Sequence, residues 1–369
     1  MLRWEGGQMS ADPITVSMPA LYCPVVARRY PDAEEIGKES LAWLKSFGLR
    51  LPPGQWAEIE AERMGYWFAL FTPGAASRER MRLGADMFAS IFPYDDAYSG
   101  RFAIGTEADA VSWAGRWCRL LDDPQFAVHC DHPVTEAVAD FLRRLAEECT
   151  DTQYRRFADP LKTYMWGIAW EFAGHDKAVR ESLAEAVPCR IYSAGVLPTI
   201  GILHASHNLH ITDEVFYRPA VRAFTEAASF LIGLHNDLFS YPKEALDAAE
   251  DVNLLAAVIT EHHCSVAEGV AHLIRLSNQI MTRLVELRTT LARTADNDLL
   301  TYLDAALEML AGHLEFEQHC IRYRRGTAQL PAITITSQPT ADTPAEPPAV
   351  PTLTWWWHLP EPGRLFKTI

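Results

Sequence analysis

The sequence contains no Cys-x-x-Cys pair, and its cysteines are scattered along 369 residues. An odd number of widely separated cysteines fits neither a disulfide framework nor a zinc site, so we expect a cytoplasmic protein. The amino terminus lacks an apolar signal-peptide core, and no stretch reaches about 18 uninterrupted apolar residues. Stable membrane insertion is therefore not expected. The seven cysteines are Cys23, Cys118, Cys130, Cys149, Cys189, Cys264 and Cys320.

The chain also lacks any run in which Lys and Arg alternate with aromatic residues, and its formal net charge is −15. A protein with this charge is a poor partner for nucleic acid or for an anionic membrane surface. The pattern favours small or neutral partners and leaves a homodimer open.

Alternating strand-like runs are nearly absent, whereas apolar residues recur at three- and four-residue spacing from Pro31 onward. This periodicity predicts an all-α fold of about ten or more helices. Many of these helices are apolar on more than one face, which suits a helical bundle around a central cavity. Typical segments are TEAVADFLRRLAEECT and YRPAVRAFTEAASFLIGLHNDLF.

Composition divides the chain into three parts. Residues 1–20 show no periodicity and are predicted to form an N-terminal arm, and residues 21–326 carry the helical pattern. Residues 327–369 are rich in Pro and Thr and are predicted to be a tail, disordered or draped over the core. Trp355, Trp356 and Trp357 could plug a groove or bind a partner there. A weakly structured tail is the preferred interpretation.

Two adjacent acids, Asp95 and Asp96, end an apolar helical segment in FPYDDAYSG. Paired carboxylates supply the hard oxygen ligands that Mg²⁺ prefers. Alone this signal is weak, because two Asp beside a turn more often form a solvated cap. A similar pair, Asp122 and Asp123, is interpreted as such a cap.

The segment HNDLFSYPKE places Asn236, Ser240 and Glu244 at i, i+4 and i+8. On a helix these three side chains share one face. An amide oxygen, a hydroxyl and a carboxylate stacked over two turns can chelate one hard cation. The preceding AFTEAASFLIGL is strongly apolar, so the polar stripe should enter the core, where a metal can satisfy it.

The string N-D-L-F-S-Y-P-K-E resembles the NSE signature of bacterial class I terpene synthases, N-D-x-x-S-x-x-[RK]-E. That family expects an aspartate-rich motif upstream, and Asp95 and Asp96 lie 141 and 140 residues before Asn236. It also expects an Arg-Tyr pair near the end of the last helix, which Arg322 and Tyr323 supply. These motifs occur in the family's order and spacing.

The resemblance covers roughly residues 21–326 and extends to a diphosphate-sensing Arg, matched by Arg190, 46 residues before Asn236. It implies a catalytic α-domain that ionises a linear prenyl diphosphate with three Mg²⁺ ions. The implied metal ligands are Asp95, Asp96, Asn236, Ser240 and Glu244. The implied diphosphate-binding residues are Arg190, Asn236, Lys243, Arg322 and Tyr323.

The sequence departs from the family pattern in the aspartate-rich motif, where Ser99 and Gly100 stand in place of a third acid. Pro242 lies inside the NSE segment, which predicts a kink or a helix end near Glu244.

The family also expects an effector turn after the sensing Arg. The turn after Arg190 offers Ser193 as its linker and either Ala194 or Gly195 as the residue whose carbonyl faces the substrate.

Aromatic faces can stabilise a carbocation without attacking it. By position relative to the motifs, Phe92 and Phe316 are the candidate wall residues of the cavity. The resemblance favours farnesyl diphosphate as substrate. Geranylgeranyl diphosphate remains an alternative, as does a methylated monoterpene precursor, because the segment from Leu21 resembles enzymes that make methylated monoterpenes.

Three other functions are weighed against cyclisation. A chain-elongating prenyl synthase should carry two DDxxD motifs, and a degenerate helical binding protein would not need four spaced motifs. A histidine metal site lacks the H-E-x-x-H pattern or an equivalent carboxylate. Surface or loop positions are therefore expected for the histidines in question, His204, His207, His210, His262 and His263.

Overall fold

A computed structural model describes residues 19–49, 54–98, 107–125, 133–173, 182–247, 252–324, 330–340 and 343–360. The predicted N-terminal arm lies almost wholly outside these residues. The helices are α1 Ala33–Ser46, α2 Gln55–Glu62, α3 Met64–Trp67, α4 Arg78–Tyr98, α5 Glu107–Asp122, α6 Pro133–Glu148, α7 Asp151–Ala173, α8 Leu183–Ser193, α9 Val196–Ser206, α10 Asp213–Phe216, α11 Pro219–Asp247, α12 Leu254–His262, α13 Val266–Leu291 and α14 Asn297–His319. Shorter 3₁₀ turns are η1 Phe68–Leu70, η2 Ile321–Arg324 and η3 Pro351–Trp356.

The all-α prediction is confirmed, since the described residues hold only one two-residue strand pair beside the helices. β1, Leu21–Tyr22, pairs in parallel with β2, Ile335–Thr336. Helix α11 packs against α9, α13 and α14, and α7 packs against α5, α8 and α9. Helix α11 is buried by its neighbours along much of its length, as its apolar sequence AFTEAASFLIGL predicts.

Side-chain caps fix where several of these helices begin. Ser265 and Glu268 form a capping box at the start of α13, and Asp296 accepts the backbone N–H of Leu299 at the start of α14. Asn253 caps α12 by accepting the N–H groups of Leu255 and Ala256. Such caps satisfy donors that the first helical turn leaves unpaired. The cap on α12 also bears on the candidate site.

The carboxyl-terminal segment, residues 330–340 and 343–360, is packed on the helices and is called the C-terminal strap below. Trp356 is fully buried against Phe230 of α11, with ring centroids 5.9 Å apart. Its backbone carbonyl accepts a 3.0 Å hydrogen bond from Nε of Arg283 on α13. The expectation of a weakly structured tail is therefore wrong for the strap. Extended chain without helical periodicity can still pack, because helix side chains bond its backbone.

Within the residues that the structure describes, one helical run, Leu183–Ser206, is long and apolar enough to cross a membrane. It comprises α8 and α9, and 67% of the apolar window is buried inside the protein. This burial is typical of a core helix.

Candidate active site

The NSE segment lies in the carboxyl-terminal half of α11, which continues through Pro242 to Asp247. The helix end expected near Glu244 lies three residues further on. Asn236, Ser240 and Glu244 therefore belong to one helix, where offsets of four residues keep side chains on the same face. The prediction that this face enters the protein agrees with Ser240, which is 2% exposed.

The hydroxyl of Ser240 is buried without a hydrogen-bond partner among the described residues. A buried hydroxyl that loses its water contacts costs about 1–3 kcal/mol unless another group replaces them. Asn236, one turn earlier, and Glu244, one turn later, present oxygen atoms of the kind that bind hard cations. Other buried serine hydroxyls also have no partner among the described residues, so it is the position between Asn236 and Glu244 that makes Ser240 fit a metal ligand.

Both N–H groups of the Asn236 amide are already engaged. Its Nδ2 donates to Oε1 of Glu317 and to the hydroxyl of Tyr323, each at 3.0 Å. The amide carbonyl oxygen is the atom left to bind a cation. Glu244 has an analogous neighbour, because Nδ2 of Asn253 donates to its Oε2 at 2.8 Å.

Arg190 links α8 to the same part of α11. Its Nε and one terminal nitrogen donate to the two carboxylate oxygens of Asp237 at 3.2 and 2.5 Å, and Glu171 lies 3.8 Å away. Burial alone would lower the pKa of Arg190, but these two carboxylates raise it above its usual value. Burial raises the pKa of Asp237 to about 6, although Arg190 opposes that shift. A permanent cation is thus held beside the candidate metal ligands.

Ala194 and Gly195 form a turn that separates α8 from α9, and Arg190 lies in the last turn of α8. Gly195 has a φ of 69°, in the left-handed region that favours glycine. Ser193 accepts a 3.3 Å hydrogen bond from Arg190, and the carbonyl of Gly195 accepts one from Thr199 at 2.8 Å. Helix α11 lies close to this turn, because a Cβ added at Gly233 would be 3.0 Å from Cβ of Ala194.

The predicted aromatic residues and the Arg-Tyr pair meet one another close to Asn236. The Arg322 guanidinium lies 5.0 Å from the ring centroid of Phe92, and Tyr323 stands edge-on to Phe316 at 5.3 Å. Phe92 and Phe316 are 6.3 Å apart. Burial raises the pKa of Tyr323 well above its usual value, so its hydroxyl stays protonated. Through Tyr323, this group also contacts Asn236.

The aspartate-rich motif lies only partly within the described residues. The backbone of Asp95 and Asp96 belongs to the last part of α4, but their side chains lie outside the described residues, as do Ser99 and Gly100. Lys243 is half-buried on α11, immediately before Glu244.

Sequence reasoning missed several residues around the site. Asp237 stands inside the quoted N-D string but received no role, although a buried acid beside an apolar run was a usable signal. Asn253 was detectable as a helix cap before the apolar run LLAAV, but its contact with Glu244 was not. Glu317 and Glu171 belong to no motif, and only the fold brings them to Asn236 and Arg190.

Among the described residues, no three or more His, Cys, Asp or Glu side chains are grouped as they would be around a metal ion. His210, His262 and His263 are exposed, as expected. The expectation of a surface or loop position is wrong for His204, which is 1% exposed on α9. Its ring packs 5.0 Å from both Phe216 and Tyr302 because this face of α9 turns into the core.

Residues 86–283 match the sequence profile described as terpene synthase family 2, C-terminal metal binding. Phomopsene synthase from Allokutzneria albata is 26% identical over 349 residues, covering 94% of this chain and 98% of that enzyme. A (+)-T-muurolol synthase from Streptomyces clavuligerus, named as cyclising (2E,6E)-farnesyl diphosphate, is 24% identical over 344 residues and covers 92% and 82%.

Solved structures agree with these matches. The SVS_A2 protein from ancestral sequence reconstruction superposes with a TM-score of 0.81 at 26% identity, covering 92% of this chain and 98% of that one. The similarity in sequence and in fold therefore spans nearly the whole chain.

Proposed function

From the premise that this chain belongs to terpene synthase family 2 and is a terpene synthase, we propose that it cyclises farnesyl diphosphate with Mg²⁺. One observation carries the proposal: the unpartnered, buried hydroxyl of Ser240 stands between Asn236 and Glu244 on one face of α11. The choice of farnesyl diphosphate is supported by the name of the muurolol synthase relative.

The oxygen atoms on α11 suit Mg²⁺, since the Asn236 carbonyl, the Ser240 hydroxyl and the Glu244 carboxylate are hard ligands. We assign one ion to these three residues and two further ions to Asp95 and Asp96. Bound Mg²⁺ would neutralise the charge that develops on a departing diphosphate. The family profile supports metal binding in general terms through its description.

The protein's own donors would hold the diphosphate while its C–O bond breaks. Arg190 is anchored by Asp237, so its remaining donor capacity is directed rather than free to rotate. Charge-assisted donors fixed before the reaction stabilise developing negative charge without reorganising. We assign the same role to Lys243, Arg322 and Tyr323.

Ser193 would link Arg190 to the effector turn. Thr199 already occupies the Gly195 carbonyl, which favours the carbonyl of Ala194 as the one that faces the substrate. Phe92 and Phe316 would shield and stabilise the allylic cation, because aromatic faces attract cations and an apolar wall excludes water. We place the catalytic domain at residues 21–326, with the strap packed upon it.

The test is incubation of the purified protein with Mg²⁺ and, separately, geranyl, 2-methylgeranyl, farnesyl and geranylgeranyl diphosphate. Gas chromatography should detect a cyclic terpene from farnesyl diphosphate and none after Mg²⁺ is chelated. Cyclic product from geranylgeranyl diphosphate alone would overturn the chain length but keep the reaction class. No product from any of the four would contradict the proposed activity.

A further inference from the structure

Glu317 is an acidic side chain in an apolar setting. It lies near the end of α14, is 1% exposed, and follows Phe316 of the aromatic group. Its Oε1 accepts the 3.0 Å hydrogen bond from Asn236, and its Oε2 lies 3.5 Å from Nδ1 of His313. Burying a carboxyl group lowers stability by several kcal/mol unless neighbouring groups form hydrogen bonds or ion pairs with it. The contact with Asn236 is the one that reaches the candidate metal site.

The hydrogen bond from Asn236 to Glu317 fixes the orientation of the Asn236 amide. An amide can present either its oxygen or its nitrogen to a neighbour, and only the oxygen binds a cation. Glu317 takes one N–H group and Tyr323 takes the other, so the amide is held from two points on the α14–η2 segment. Rotation about the side chain would break both hydrogen bonds. The oxygen is thereby kept available for a metal.

The same arrangement orients Tyr323. Because its hydroxyl oxygen accepts from Asn236, the hydroxyl proton can be donated elsewhere. Glu317 and Tyr323 thus both accept from Nδ2 of Asn236, and the two acceptors together fix the direction of the amide.

We propose that Glu317 is a positioning residue that holds the Asn236 amide with its oxygen toward the Mg²⁺ site. The inference rests on the proposed function and deepens it. Side chains that orient metal ligands in this way typically alter metal affinity by about 10–100-fold when removed. Glu317 acts through Asn236 and is not itself assigned as a ligand.

A purely structural role would make the hydrogen bond one more tie between α14 and α11. The chain offers a matched control for that alternative. Tyr302 of α14 is fully buried and forms a 2.7 Å hydrogen bond with Thr225 of α11, in the amino-terminal half of that helix. Tyr302→Phe removes a buried hydrogen bond between the same two helices without touching the candidate metal site.

The experiment measures thermal stabilisation of the protein by Mg²⁺ in the presence of inorganic diphosphate, which needs no catalysis. Glu317→Leu keeps the volume but removes the acceptor, whereas Glu317→Gln retains an acceptor oxygen. The Mg²⁺ midpoint is the Mg²⁺ concentration that gives half of the maximal stabilisation. It should rise about 10-fold or more in Glu317→Leu. It should stay near the wild-type value in Glu317→Gln and Tyr302→Phe. Glu317→Ala replaces the Leu variant if that variant does not fold.

A wild-type midpoint in folded Glu317→Leu, or a midpoint in Tyr302→Phe that rises equally, would overturn the positioning role while leaving the metal site intact. A rise in Glu317→Gln as large as in Glu317→Leu would also overturn it, because the negative charge would then matter rather than the acceptor. Absence of any Mg²⁺ response in the wild-type protein would instead contradict the proposed metal site itself.

Discussion

Both halves of α11 carry buried polar side chains, but these side chains differ in their hydrogen-bond partners and in the residues one turn away. In the amino-terminal half, the carboxyl group of Glu226 accepts the indole N–H groups of Trp355 and Trp356, both at 3.0 Å. In the carboxyl-terminal half, the Ser240 hydroxyl has no partner among the described residues. The Ser229 hydroxyl in the amino-terminal half also has no partner among the described residues, but Thr225 and Gly233 stand four residues before and after it. Ser240 differs because Asn236 and Glu244 stand at those offsets, and an unsatisfied buried hydroxyl between two such oxygen donors points to a ligand. In our proposal, the amino-terminal half of α11 holds the strap and the carboxyl-terminal half holds the metal ion.

Arg190 both ties two helices together and belongs to the candidate site. Its substitution should therefore give the largest loss of stability and of activity. Arg190→Met would leave the buried carboxylates of Asp237 and Glu171 without their cation, so unfolding should become easier by about 3–5 kcal/mol. Product formation should also be lost. Chemical denaturation and gas chromatography measure the two effects. Arg288→Met removes an exposed pair with Asp304 and serves as the control, expected to cost about 1 kcal/mol or less. Equal stability of the two variants would contradict this account of Arg190.

The amino-terminal half is tested by Trp356→Ala. Removing a fully buried Trp leaves a cavity between the strap and Phe230, which should lower the free energy of unfolding by about 3–5 kcal/mol. The Mg²⁺ midpoint of the folded variant should not change, because this end of α11 binds no metal in our account. A shifted midpoint at normal folding would show that the two halves are not separate.

The difference between the halves also explains what could be predicted from the sequence. Helical periodicity predicted the fold class, and the offsets of Asn236, Ser240 and Glu244 predicted a shared face, because both depend only on local geometry. The sequence left the strap open between a disordered tail and one draped over the core, because its Pro- and Thr-rich sequence lacks a period and its burial depends on Phe230, far along the chain.

The role of Glu317 could not be predicted from the sequence for a related reason. Its contact with Asn236 joins two helices 81 residues apart in sequence, and no spacing rule connects them. His204 illustrates the opposite error, in which a polar residue type suggested a surface position although the apolar run around it placed α9 in the core.

His204 sharpens the comparison, because its Nε2 is also buried without a partner among the described residues, yet it lies among aromatic rings. Burial lowers its pKa from 6.5 to about 3, so between these values the unfolded chain binds a proton that the folded protein does not. Its contribution to stability is full above pH 6.5 and is lost as the pH falls toward 3.

His204→Leu should therefore reduce the pH dependence of the free energy of unfolding by up to about 1.4 kcal/mol per pH unit in that window. Denaturation at several pH values measures this slope against the wild-type protein. Cyclisation at neutral pH should continue. An unchanged slope would contradict burial as the cause of the lowered pKa, and a variant that is folded but inactive would show that His204 takes part in the reaction.

The smallest loss of stability is expected for Ser240→Ala. The change removes a buried hydroxyl that forms no hydrogen bond with the described residues, so without Mg²⁺ the free energy of unfolding should not fall and should rise by up to about 1–3 kcal/mol. The Mg²⁺ midpoint measured with inorganic diphosphate should nevertheless rise about 10-fold or more if Ser240 is the proposed ligand. Loss of stability with a normal midpoint would show that Ser240 is a packing group.

The most direct test of the metal assignment is a crystal structure of the wild-type protein with inorganic diphosphate and Mn²⁺, an oxygen-seeking ion that scatters anomalously. The account predicts an anomalous peak within about 2.5 Å of the Asn236 amide oxygen, the Ser240 hydroxyl and the Glu244 carboxylate. Occupied sites elsewhere with no peak at these three residues would contradict it.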